Sequence, residues 1–420
     1  MMLKPDRRSV LALGLASALP FRAHSQTKAK LVIVGGGFGG ASAAKVLRAL
    51  LPAADITLIE AQTTYTACPF SNLVIGGTRQ LSAQQYTYDP LRELDISVRH
   101  QRAIDVDANG KTLTLEDGAA LHYDRLILSP GIDVRWDAIE GYNQQAAETL
   151  PHAWKAGHQT QLLHQQLQAL EDGQTVLMSV PPAPYRCPPG PYERASLIAH
   201  YLKTQKPRSK LIILDAKDRF SKMELFREAW ATNYPDHLEW RGAIDDGAVT
   251  RVDADARTVF SDFGSETAAV VNIIPPQKAG DIAIKAGVTD ATGWCPIKPL
   301  DFESRLQSDI HVIGDATIAA PMPKSAFSAN LQAKICAIGI ARSLSGRTVE
   351  PTVLANTCYS YTTPDTAISI AGVYSNEGNQ LTSISGAGGV SPLGAGLNVR
   401  AAEAAQAAHW FETITQEAFG

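Results

Sequence analysis

The amino-acid sequence predicts an α/β protein with two Rossmann-like dinucleotide-binding domains, one inserted into the other, and a C-terminal α+β interface domain. A strand, a glycine-rich turn and a helix follow one another at residues 30–50, and a second strand–turn–helix unit lies at residues 175–204. Units of this kind bind dinucleotides beyond the end of the first strand. Residues 346–420 then combine an alternating, strand-like stretch with an alanine-rich helix.

Length, charge and composition restrict the class of protein. The chain has 420 residues, which is enough for two or three domains with sizeable cores. A net charge of −4 and a pI of about 6.2 give no indication of nucleic-acid binding. Charged residues make up 19% of a chain rich in Gly and Pro, which favours a compact, loop-rich enzyme over a disordered chain. The five cysteines are too scattered for a dense disulfide scaffold.

Residues 1–25 are predicted to be a signal peptide. Arg7 and Arg8 precede an apolar run of about a dozen residues, which is too short to span a bilayer. Small residues at Ala23 and Ser25 favour cleavage after Ser25. The paired arginines predict twin-arginine export, with an ordinary secretory signal as the alternative. Both predict a periplasmic protein in an oxidising compartment, where a disulfide can persist. No later apolar run reaches the length of a transmembrane helix.

The first strand–turn–helix unit carries the strongest motif. Gly35, Gly37 and Gly40 form a G-x-G-x-x-G pattern directly after the strand KLVIV. The glycines permit a tight turn, close approach of a pyrophosphate and close strand–helix contact, and the helix N-terminus stabilises the phosphate charge. About 20 residues past Gly40, the strand DITLIE ends in Glu60, whose carboxylate can accept hydrogen bonds from a ribose. The unit predicts a bound dinucleotide, and a glycine-rich turn without a ligand is the alternative.

Two later segments indicate that this dinucleotide is FAD. Residues 122–132 form a predicted strand that runs into a Pro-Gly turn, and residues 309–317 form one that ends in Gly-Asp. Together with the glycine motif they resemble the glutathione reductase-like flavoproteins, which have two dinucleotide domains. The resemblance implies that Asp315 binds the ribityl chain of the flavin. A long helix follows, and its N-terminus near Lys324 and Ser325 is expected to face the flavin pyrimidine. Lys324 is a candidate flavin contact, with a solvated lysine as the alternative.

These segments divide the mature chain into three domains. Residues 28–145 and 276–345 form the predicted FAD-binding domain, and residues 346–420 form the C-terminal interface domain. Residues 146–275 form an inserted NAD-like domain, whose predicted strands include TVLMSV and KLIILD. The second of these strands ends at Asp215, where the acid of a dinucleotide fold belongs.

The inserted domain lacks the glycine fingerprint of a nucleotide site. Its turn, YRCPPGPYERA at residues 185–195, contains Gly190 as its one glycine. The prolines remove backbone N–H groups that would hold phosphate. The sequence therefore predicts that NAD(P)H does not reduce this flavin, and an unusual nucleotide-binding loop is the alternative. Cys187 lies where a nicotinamide would approach the flavin, so it is a candidate redox thiol. The alternative for Cys187 is a buried, inert thiol.

Four segments extend the resemblance over essentially the whole chain, including the signal peptide. They are YTACPFSNLVIGG (residues 65–77), YRCPPGPYERA (185–195), GWCPI (293–297) and NTCYSY (356–361). With them, the chain resembles the flavoprotein subunits of flavocytochrome c sulfide dehydrogenase. The resemblance implies that the protein oxidises sulfide in the periplasm and passes the electrons to a c-type cytochrome, either a bound subunit or a mobile carrier.

The same resemblance implies roles for four residues. Cys68 would carry the FAD through an 8α-S-cysteinyl thioether. Cys187 and Cys358 would form a redox-active disulfide beside the flavin, and Glu193 is the candidate proton acceptor. Hydrosulfide would attack this disulfide and form a persulfide. The pairing of Cys187 with Cys358 rests on the resemblance, because sequence alone does not give disulfide connectivity.

Two cysteines have no predicted role, and two other functions stay open. Cys336 lies among apolar residues of the long helix and is predicted to be core, whereas Cys295 is unassigned and a Cys295–Cys336 bridge has no support. The chain lacks a Cys-x-x-Cys-His sequence, so no c-type haem is expected in it. A sulfide:quinone oxidoreductase is the alternative enzyme, although residues 399–420 offer little bulky apolar surface for membrane insertion. A non-catalytic flavoprotein that binds a sulfur-pathway partner is the third reading.

Overall fold

The structure of the protein is a computed structural model that describes residues 28–420. The predicted signal peptide, residues 1–25, lies outside the described residues. None of the helices among residues 28–420 combines the length and the apolar character needed to cross a bilayer.

The first part of the chain builds most of the domain that carries the glycine motif. Its elements are β1 (Lys30–Val34), α1 (Phe38–Leu50), β2 (Asp55–Ile59), β3 (Thr64–Thr66), α2 (Ser71–Ile75), a 3₁₀ helix (Leu81–Gln84), β4 (Gln85–Thr87), α3 (Asp89–Glu93), β5 (Ser97–Arg99), β6 (Ala103–Asp107), β7 (Thr112–Leu115), β8 (Ala120–His122), β9 (Arg125–Leu128) and β10 (Ile132–Val134).

The middle of the chain forms a second α/β unit. Its elements are a 3₁₀ helix (Ala146–Glu148), α4 (His158–Ala169), β11 (Thr175–Val180), α5 (Gly190–Gln205), β12 (Lys210–Asp215), α6 (Met223–Asn233), β13 (Leu238–Arg241), a 3₁₀ helix (Ala243–Asp245), β14 (Arg251–Asp253), β15 (Thr258–Phe260), β16 (Ser265–Thr267) and β17 (Val270–Ile273).

The last part of the chain returns to the first unit and then adds a hairpin and a helix. Its elements are β18 (Gln277–Ala279), α7 (Asp281–Lys285), β19 (Cys295–Pro296), β20 (Ile310–Val312), a 3₁₀ helix (Gly314–Ala316), β21 (Thr317–Ile318), α8 (Ala326–Leu344), β22 (Val353–Thr363), β23 (Thr366–Ser375), β24 (Thr382–Ser383), β25 (Gly389–Val390) and α9 (Leu397–Phe419).

A five-stranded parallel sheet forms the centre of the first unit, in the order β20-β9-β1-β2-β5. Strand β1 is apolar after Lys30, and these four residues are all buried, as in parallel strands covered on both faces. Because β20 follows the insertion, the sheet joins chain segments from both sides of it. The carboxyl ends of β1, β9 and β20 meet at one edge, which is where ligands bind in folds of this class.

A four-stranded parallel sheet forms the centre of the inserted unit, in the order β13-β12-β11-β17. Both units contain a parallel sheet with helices between its strands, which confirms the predicted α/β fold with Rossmann-like domains. Helix α5 begins at Gly190, inside the proline-rich segment that was predicted to be a turn over residues 185–195. Pro191 is accommodated in the first helical turn, where a backbone N–H has no partner within the helix.

The C-terminal part is the antiparallel hairpin β22–β23, followed by the long helix α9. Strand β22 contacts α5 of the inserted unit and α8 of the first unit. Helix α9 packs across the hairpin and against α1. Its Phe411 also stacks on Phe70, just before α2, and its Phe419 stacks on Tyr65 of β3. Strand β22 is therefore held at the place where the three units meet.

Candidate active site

A cavity of about 820 Å³ lies between the three units. It runs from the glycine turn after β1 to strand β22. Most of the predicted site residues line it, namely Gly35, Gly37, Glu60, Cys68, Cys187, Glu193, Asp315 and Cys358. The fold therefore brings together residues that are widely separated in the sequence. Gly40 and Lys324 do not line the cavity.

The glycine turn has the shape that the motif predicts. Gly35 has a φ angle of +96°, and a Cβ at this position would lie 2.2 Å from the carbonyl oxygen of Ser129. Gly37 lines the cavity and is the N-cap residue of α1. Gly40 lies behind the cavity, where a Cβ would be 1.8 Å from the carbonyl oxygen of Gly35. Gly40 thus permits the close strand–helix contact that the motif requires.

Glu60 lies at the end of β2, and its carboxylate is held at the cavity wall. It accepts hydrogen bonds from the backbone N–H groups of Gly36, at 2.8 Å, and Gln62, at 2.9 Å. These bonds orient the carboxylate beside the glycine turn. From this position it can accept further hydrogen bonds from a ribose.

Asp315 follows β20 and presents an unpaired acceptor to the cavity. Its Oδ1 atom is buried and has no hydrogen-bond partner among residues 28–420. Its Oδ2 atom lies 3.9 Å from Nη1 of Arg186. Burial raises the pKa of Asp315, and the charges of Arg186 and Lys324 oppose this effect. Buried acceptors are normally paired, so this one fits a ligand that brings a hydroxyl donor, such as a ribityl chain.

Lys324 is the candidate flavin contact at the start of α8, and it does not line the cavity. Its Nζ atom donates to the carbonyl oxygens of Asp315, at 2.9 Å, and Thr317, at 2.5 Å, and lies 3.8 Å from the centre of the Trp294 ring. Burial lowers its pKa to about 8. The lysine therefore supports the turn that carries Asp315 and is neither a cavity-lining group nor a solvated one.

Cys68 and Cys187 enter the cavity from two different loops. Cys68 lies between β3 and α2, and its Sγ atom is 4.0 Å from the carbonyl oxygen of Trp154. Cys187 lies in the proline-rich turn and has a φ angle of +55°, which is uncommon for a residue with a side chain. Its N–H donates to the carbonyl oxygen of Lys324, and its own carbonyl accepts from Gly190, both at 2.8 Å. These bonds hold the Cys187 turn against the start of α8.

Cys358 lies in the middle of β22, and neighbouring polar groups hold its thiol. The side-chain amide of Asn356 donates to its Sγ atom at 3.3 Å. The Oδ1 atom of Asn356 accepts from the hydroxyls of Ser325, at 2.5 Å, and Ser328, at 3.1 Å. Ser325 also caps α8 by accepting from the N–H of Ser328. The Cys358 strand is thereby connected to the helix that was predicted to face the flavin.

Cys187 and Cys358 line the same cavity, and Cys358 contributes to the pKa shift of the Cys187 thiol. All five cysteines are free thiols in the structure, so the pairing of these two stays a prediction. Burial raises the pKa of the Cys187 thiol, and the charges of Cys358 and Glu193 raise it further. Burial also raises the pKa of the Cys358 thiol, against the donor groups of Asn356 and Ser325 and the charge of Lys222. A thiolate at this site therefore needs specific stabilisation.

Glu193 lies in the first turn of α5 and is 8% exposed. One carboxylate oxygen accepts from the side-chain amide of Asn72 at 2.8 Å, and the other accepts from the N–H of Tyr361 at 2.9 Å. Burial raises the pKa of Glu193, and these two hydrogen bonds oppose the increase. The carboxylate can thus take up a proton within the cavity that contains both thiols.

The sequence did not indicate that Arg194 supports Glu193 indirectly, through Asn72, which donates a hydrogen bond to Glu193. Arg194 is 1% exposed and donates to Asn72, Asn272 and the carbonyl oxygens of His152 and Ala153. Burial lowers its pKa to about 9. The motif YRCPPGPYERA includes Arg194, but nothing in the sequence indicates which groups it contacts.

Lys222 was also missed. It lies immediately before α6 and is buried, and its ammonium donates to the carbonyl oxygen of Cys358 at 3.0 Å. The stretch FSKMELF gives no signal for this contact, because the partner strand β22 follows much later in the chain.

The ribose-binding position of the inserted domain is filled by the protein itself. The Asp215 side chain is fully buried. Its carboxylate accepts from the hydroxyl of Tyr192 at 2.6 Å, from Nε1 of Trp240 at 3.1 Å and from Nζ of Lys217 at 2.6 Å. Tyr192 stacks on Phe220 with ring centres 3.6 Å apart. The acid is therefore unavailable to a ribose in this arrangement.

The two remaining cysteines are both buried. Cys336 lies within α8 and is fully buried among apolar residues. Cys295 lies in β19 and is also fully buried. Burial raises the pKa of both thiols, which disfavours reactivity.

Three family models match the chain. Residues 160–275 match the central region described as sulfide dehydrogenase (flavocytochrome c) flavoprotein chain, and residues 350–419 match flavocytochrome c sulphide dehydrogenase, flavin-binding. Residues 29–171 match pyridine nucleotide-disulphide oxidoreductase.

Comparison with individual proteins gives a result consistent with the family models. The chain is 58% identical over 45 residues to a sulfide dehydrogenase (flavocytochrome c) flavoprotein chain of Chlorobaculum thiosulfatiphilum, a match that covers 11% of this chain and 94% of that sequence. It is 22% identical over 353 residues to mitochondrial sulfide:quinone oxidoreductase of Mus musculus, covering 77% and 75% of the two chains. The structure of the sulfide:quinone oxidoreductase of Aquifex aeolicus superposes with a TM-score of 0.71 at 18% identity, over 93% and 92% of the two chains.

Proposed function

The chain belongs to the family of flavocytochrome c sulfide dehydrogenase flavoprotein chains, and from this membership we propose that it oxidises sulfide with FAD and passes the electrons to a c-type cytochrome. One observation carries the proposal. Two cysteines from different units, Cys187 and Cys358, line one cavity together with a buried carboxylate, that of Glu193. The same cavity extends to the glycine turn of a dinucleotide site.

The residues that would hold FAD come from the two chain segments of the first unit, one before and one after the inserted unit. Gly35, Gly37 and the N-terminus of α1 would bind the pyrophosphate, and Glu60 would bind a ribose. The unpaired Oδ1 atom of Asp315 would accept a hydrogen bond from the ribityl chain. Cys68 would attach the cofactor through a thioether. When bound, FAD supplies the capacity to accept two electrons together and to release them one at a time.

The cysteine pair would perform the sulfur chemistry. Hydrosulfide attacks the Cys187–Cys358 disulfide, one new sulfur–sulfur bond forms, the bridge breaks, and the other cysteine leaves as a thiolate. A second hydrosulfide or another sulfur acceptor then removes the outer sulfur of the persulfide. Reformation of the bridge releases two electrons, for which FAD would be the acceptor when bound. With hydrosulfide as the acceptor, two HS⁻ ions become one HSS⁻ ion, one proton and two electrons, so atoms and charge balance.

Glu193 would take up the proton that this reaction releases. Its carboxylate is buried in the wall of the cavity, and burial raises its pKa above the ordinary value for glutamate. A base with a raised pKa retains a proton more readily near neutral pH. The hydrogen bonds from Asn72 and Tyr361 fix the direction in which the carboxylate points.

The electrons would not come from NAD(P)H. Asp215, which would bind a ribose in a nucleotide-binding unit, is occupied by Tyr192 and Trp240. The turn at residues 185–195 has prolines in place of the phosphate-binding amides. Both features support sulfide as the reductant.

The electron acceptor would be a separate c-type cytochrome in the periplasm. The chain has no Cys-x-x-Cys-His sequence for its own haem. The Arg7-Arg8 pair ahead of an apolar run supports export of the folded flavoprotein. The match to a flavoprotein chain of flavocytochrome c supports a cytochrome as the partner.

A quinone is the second candidate acceptor. Two relatives that align over most of this chain are mitochondrial sulfide:quinone oxidoreductases. The structure of the Aquifex aeolicus sulfide:quinone oxidoreductase shares the fold over nearly the whole length of both chains. The sulfur chemistry would be the same with either acceptor.

An anaerobic sulfide titration tests the function and the acceptor together. The flavin absorbance of the purified protein is followed during addition of sulfide, and then cytochrome c or a soluble quinone is added in separate samples. We expect sulfide to bleach the flavin and cytochrome c to restore its absorbance. Recovery with quinone alone would favour the second candidate, and an unchanged flavin spectrum would contradict sulfide oxidation itself.

A further inference from the structure

Lys222 is a buried cation beside the cysteine pair that the mechanism above does not use. It lies immediately before α6 with a φ angle of +61°, and it is 8% exposed. Its Nζ atom donates to the carbonyl oxygen of Cys358 at 3.0 Å, to Oγ of Ser360 at 2.8 Å and to the carbonyl oxygen of Ile368 at 3.3 Å. A lysine of the inserted unit thus reaches both strands of the C-terminal hairpin.

The geometry of β22 places this ammonium on the side of the strand that carries the Cys358 thiol. Residues two apart in a strand point to the same face. Ser360 and Cys358 are two apart, and the Ser360 hydroxyl contacts Lys222 directly. Asn356, two residues on the other side, donates to the Cys358 sulfur and confirms this shared face.

Two thiols and two carboxyl groups near Lys222 favour its charged form. They are Cys358 on β22, Glu193 on α5, Cys187 in the turn before α5 and Glu403 on α9. Burial lowers the pKa of Lys222 to about 8, and these groups oppose the decrease. A neutral side-chain amide has two N–H donors, so it could donate to only two of these three oxygens. The ammonium satisfies all three oxygens and also offers a positive charge to an anion that forms beside it.

A thiolate is such a partner. Attack of hydrosulfide on the bridge converts an uncharged disulfide into a persulfide and a thiolate, and total charge is conserved. The new anion forms in a buried site, where burial raises the pKa of both thiols and the carboxylate of Glu193 lies close by. Without a cation, the released thiolate would take up a proton at neutral pH.

We propose that Lys222 is a positioning residue for the redox pair, since its ammonium fixes β22 at Cys358 and stabilises the Cys358 thiolate; this inference rests on the proposed function. The hydrogen bond to the Cys358 carbonyl sets the position of the strand. The charge sets the acidity of the thiol. The first role needs a donor, and the second needs a positive charge, so the two can be separated by substitution.

The test measures the acidity of Cys358 directly. The holoenzyme is reduced anaerobically with dithiothreitol, the reductant is removed, and the rate of Cys358 alkylation by iodoacetamide is followed against pH by peptide mass spectrometry. Alkylation reports the thiolate. Lys222→Gln removes the charge and keeps a donor, and Lys222→Arg keeps the charge. Lys217→Gln is the matched control, because Lys217 is a partly buried lysine of the same unit that contacts Asp215 and Pro181 instead.

We expect Lys222→Gln to slow alkylation of Cys358 at pH 8 by at least about tenfold, since a neighbouring opposite charge shifts a pKa by about 1–3 units. Lys222→Arg and Lys217→Gln should alkylate at rates close to that of the wild type. An unchanged rate in Lys222→Gln would overturn the proposal. So would equal slowing in Lys222→Arg, because the charge would then have no effect of its own.

A second variant and the choice of readout keep the test decisive. Lys222→Asn removes the same charge, and asparagine tolerates a positive φ, so it replaces Lys222→Gln if that variant does not accumulate in folded form. It should slow alkylation of Cys358 equally, and a wild-type rate in it would also overturn the proposal. Alkylation consumes no sulfide, so a failure of sulfide oxidation and a failure of the Lys222 proposal give different results.

Discussion

Glu193 combines two properties that a proton acceptor inside a protein needs. Its carboxylate is buried, which raises its pKa, and it retains hydrogen bonds from Asn72 and Tyr361, which keep the ionised form accessible. Both oxygens are engaged by donors from other elements, so the group cannot turn away from the cavity without losing a bond. The hydrogen bonds that orient the Glu193 carboxylate thus also influence its pKa.

Replacement of Glu193 by glutamine should remove one limb of the pH profile. In the wild type, kcat/KM for sulfide should fall as pH decreases, because the carboxylate becomes protonated. The midpoint of this fall should lie above about 4.3, the ordinary pKa of glutamate, since burial raises the pKa of Glu193. Glu193→Gln should abolish this limb and lower the rate by about 10²–10⁴-fold, which is typical for loss of a positioned acid–base group. Steady-state assays across pH with cytochrome c as acceptor measure both effects. A variant that keeps the acid limb would assign it to another group.

Replacement of Cys68 by serine should convert a covalent cofactor into a dissociable one. Cys68 lines the cavity on the loop after β3 and is partly exposed to it. Acid precipitation of the wild type should leave the flavin colour in the pellet, whereas the flavin of Cys68→Ser should appear in the supernatant. Free flavin from correctly exported wild-type protein would contradict the thioether.

At the level of elements, the sequence predicted the backbone features of the site better than its side-chain contacts. The strand–turn–helix units were identified because glycine spacing and apolar runs are local properties of the chain. The cavity contacts of Lys222, Asn72 and Arg194 depend on how distant segments pack, and no local pattern encodes them. Lys324 is a further side chain whose contacts the sequence did not predict. The start of α8 was predicted correctly, but its lysine turns toward the backbone of the Asp315 turn instead of the cavity.

The turn before α5 gives a prediction about nucleotides. Because Asp215 accepts hydrogen bonds from Tyr192, Trp240 and Lys217, a ribose would have to displace these donors to reach it. We expect NADH and NADPH to leave the flavin oxidised at sub-millimolar concentration under anaerobic conditions. Absorbance spectroscopy measures this, with sulfide as the positive control. Rapid bleaching by NADH would mean that the inserted unit retains a working nucleotide site.

At the scale of the whole molecule, the site exists only because three units meet. Cys187 comes from the inserted unit, Cys358 from the C-terminal hairpin and Asp315 from the returning strand of the first unit. Strand β22 is anchored on both sides, by Asn356 to the start of α8 and by Lys222 from the start of α6. The sequence predicted the participants by resemblance to a known family. It could not supply the anchors, because they are contacts between units.

The central prediction concerns the cysteine pair. If a Cys187–Cys358 disulfide receives the hydrosulfide, Cys187→Ser and Cys358→Ser should each retain the flavin spectrum and lose nearly all sulfide-dependent cytochrome reduction, because a serine hydroxyl cannot form or accept a sulfur–sulfur bond. Their loss should exceed that of Glu193→Gln, in which the sulfur chemistry itself stays intact. Cys336→Ala is the matched control, since Cys336 is buried in α8 away from the cavity lining and should keep near wild-type turnover. Rapid-mixing spectroscopy and steady-state assays measure these outcomes. Near wild-type turnover in either serine variant would mean that sulfide reacts without the disulfide. The contacts that hold β22 at Cys358 would then serve a purpose other than positioning a redox pair.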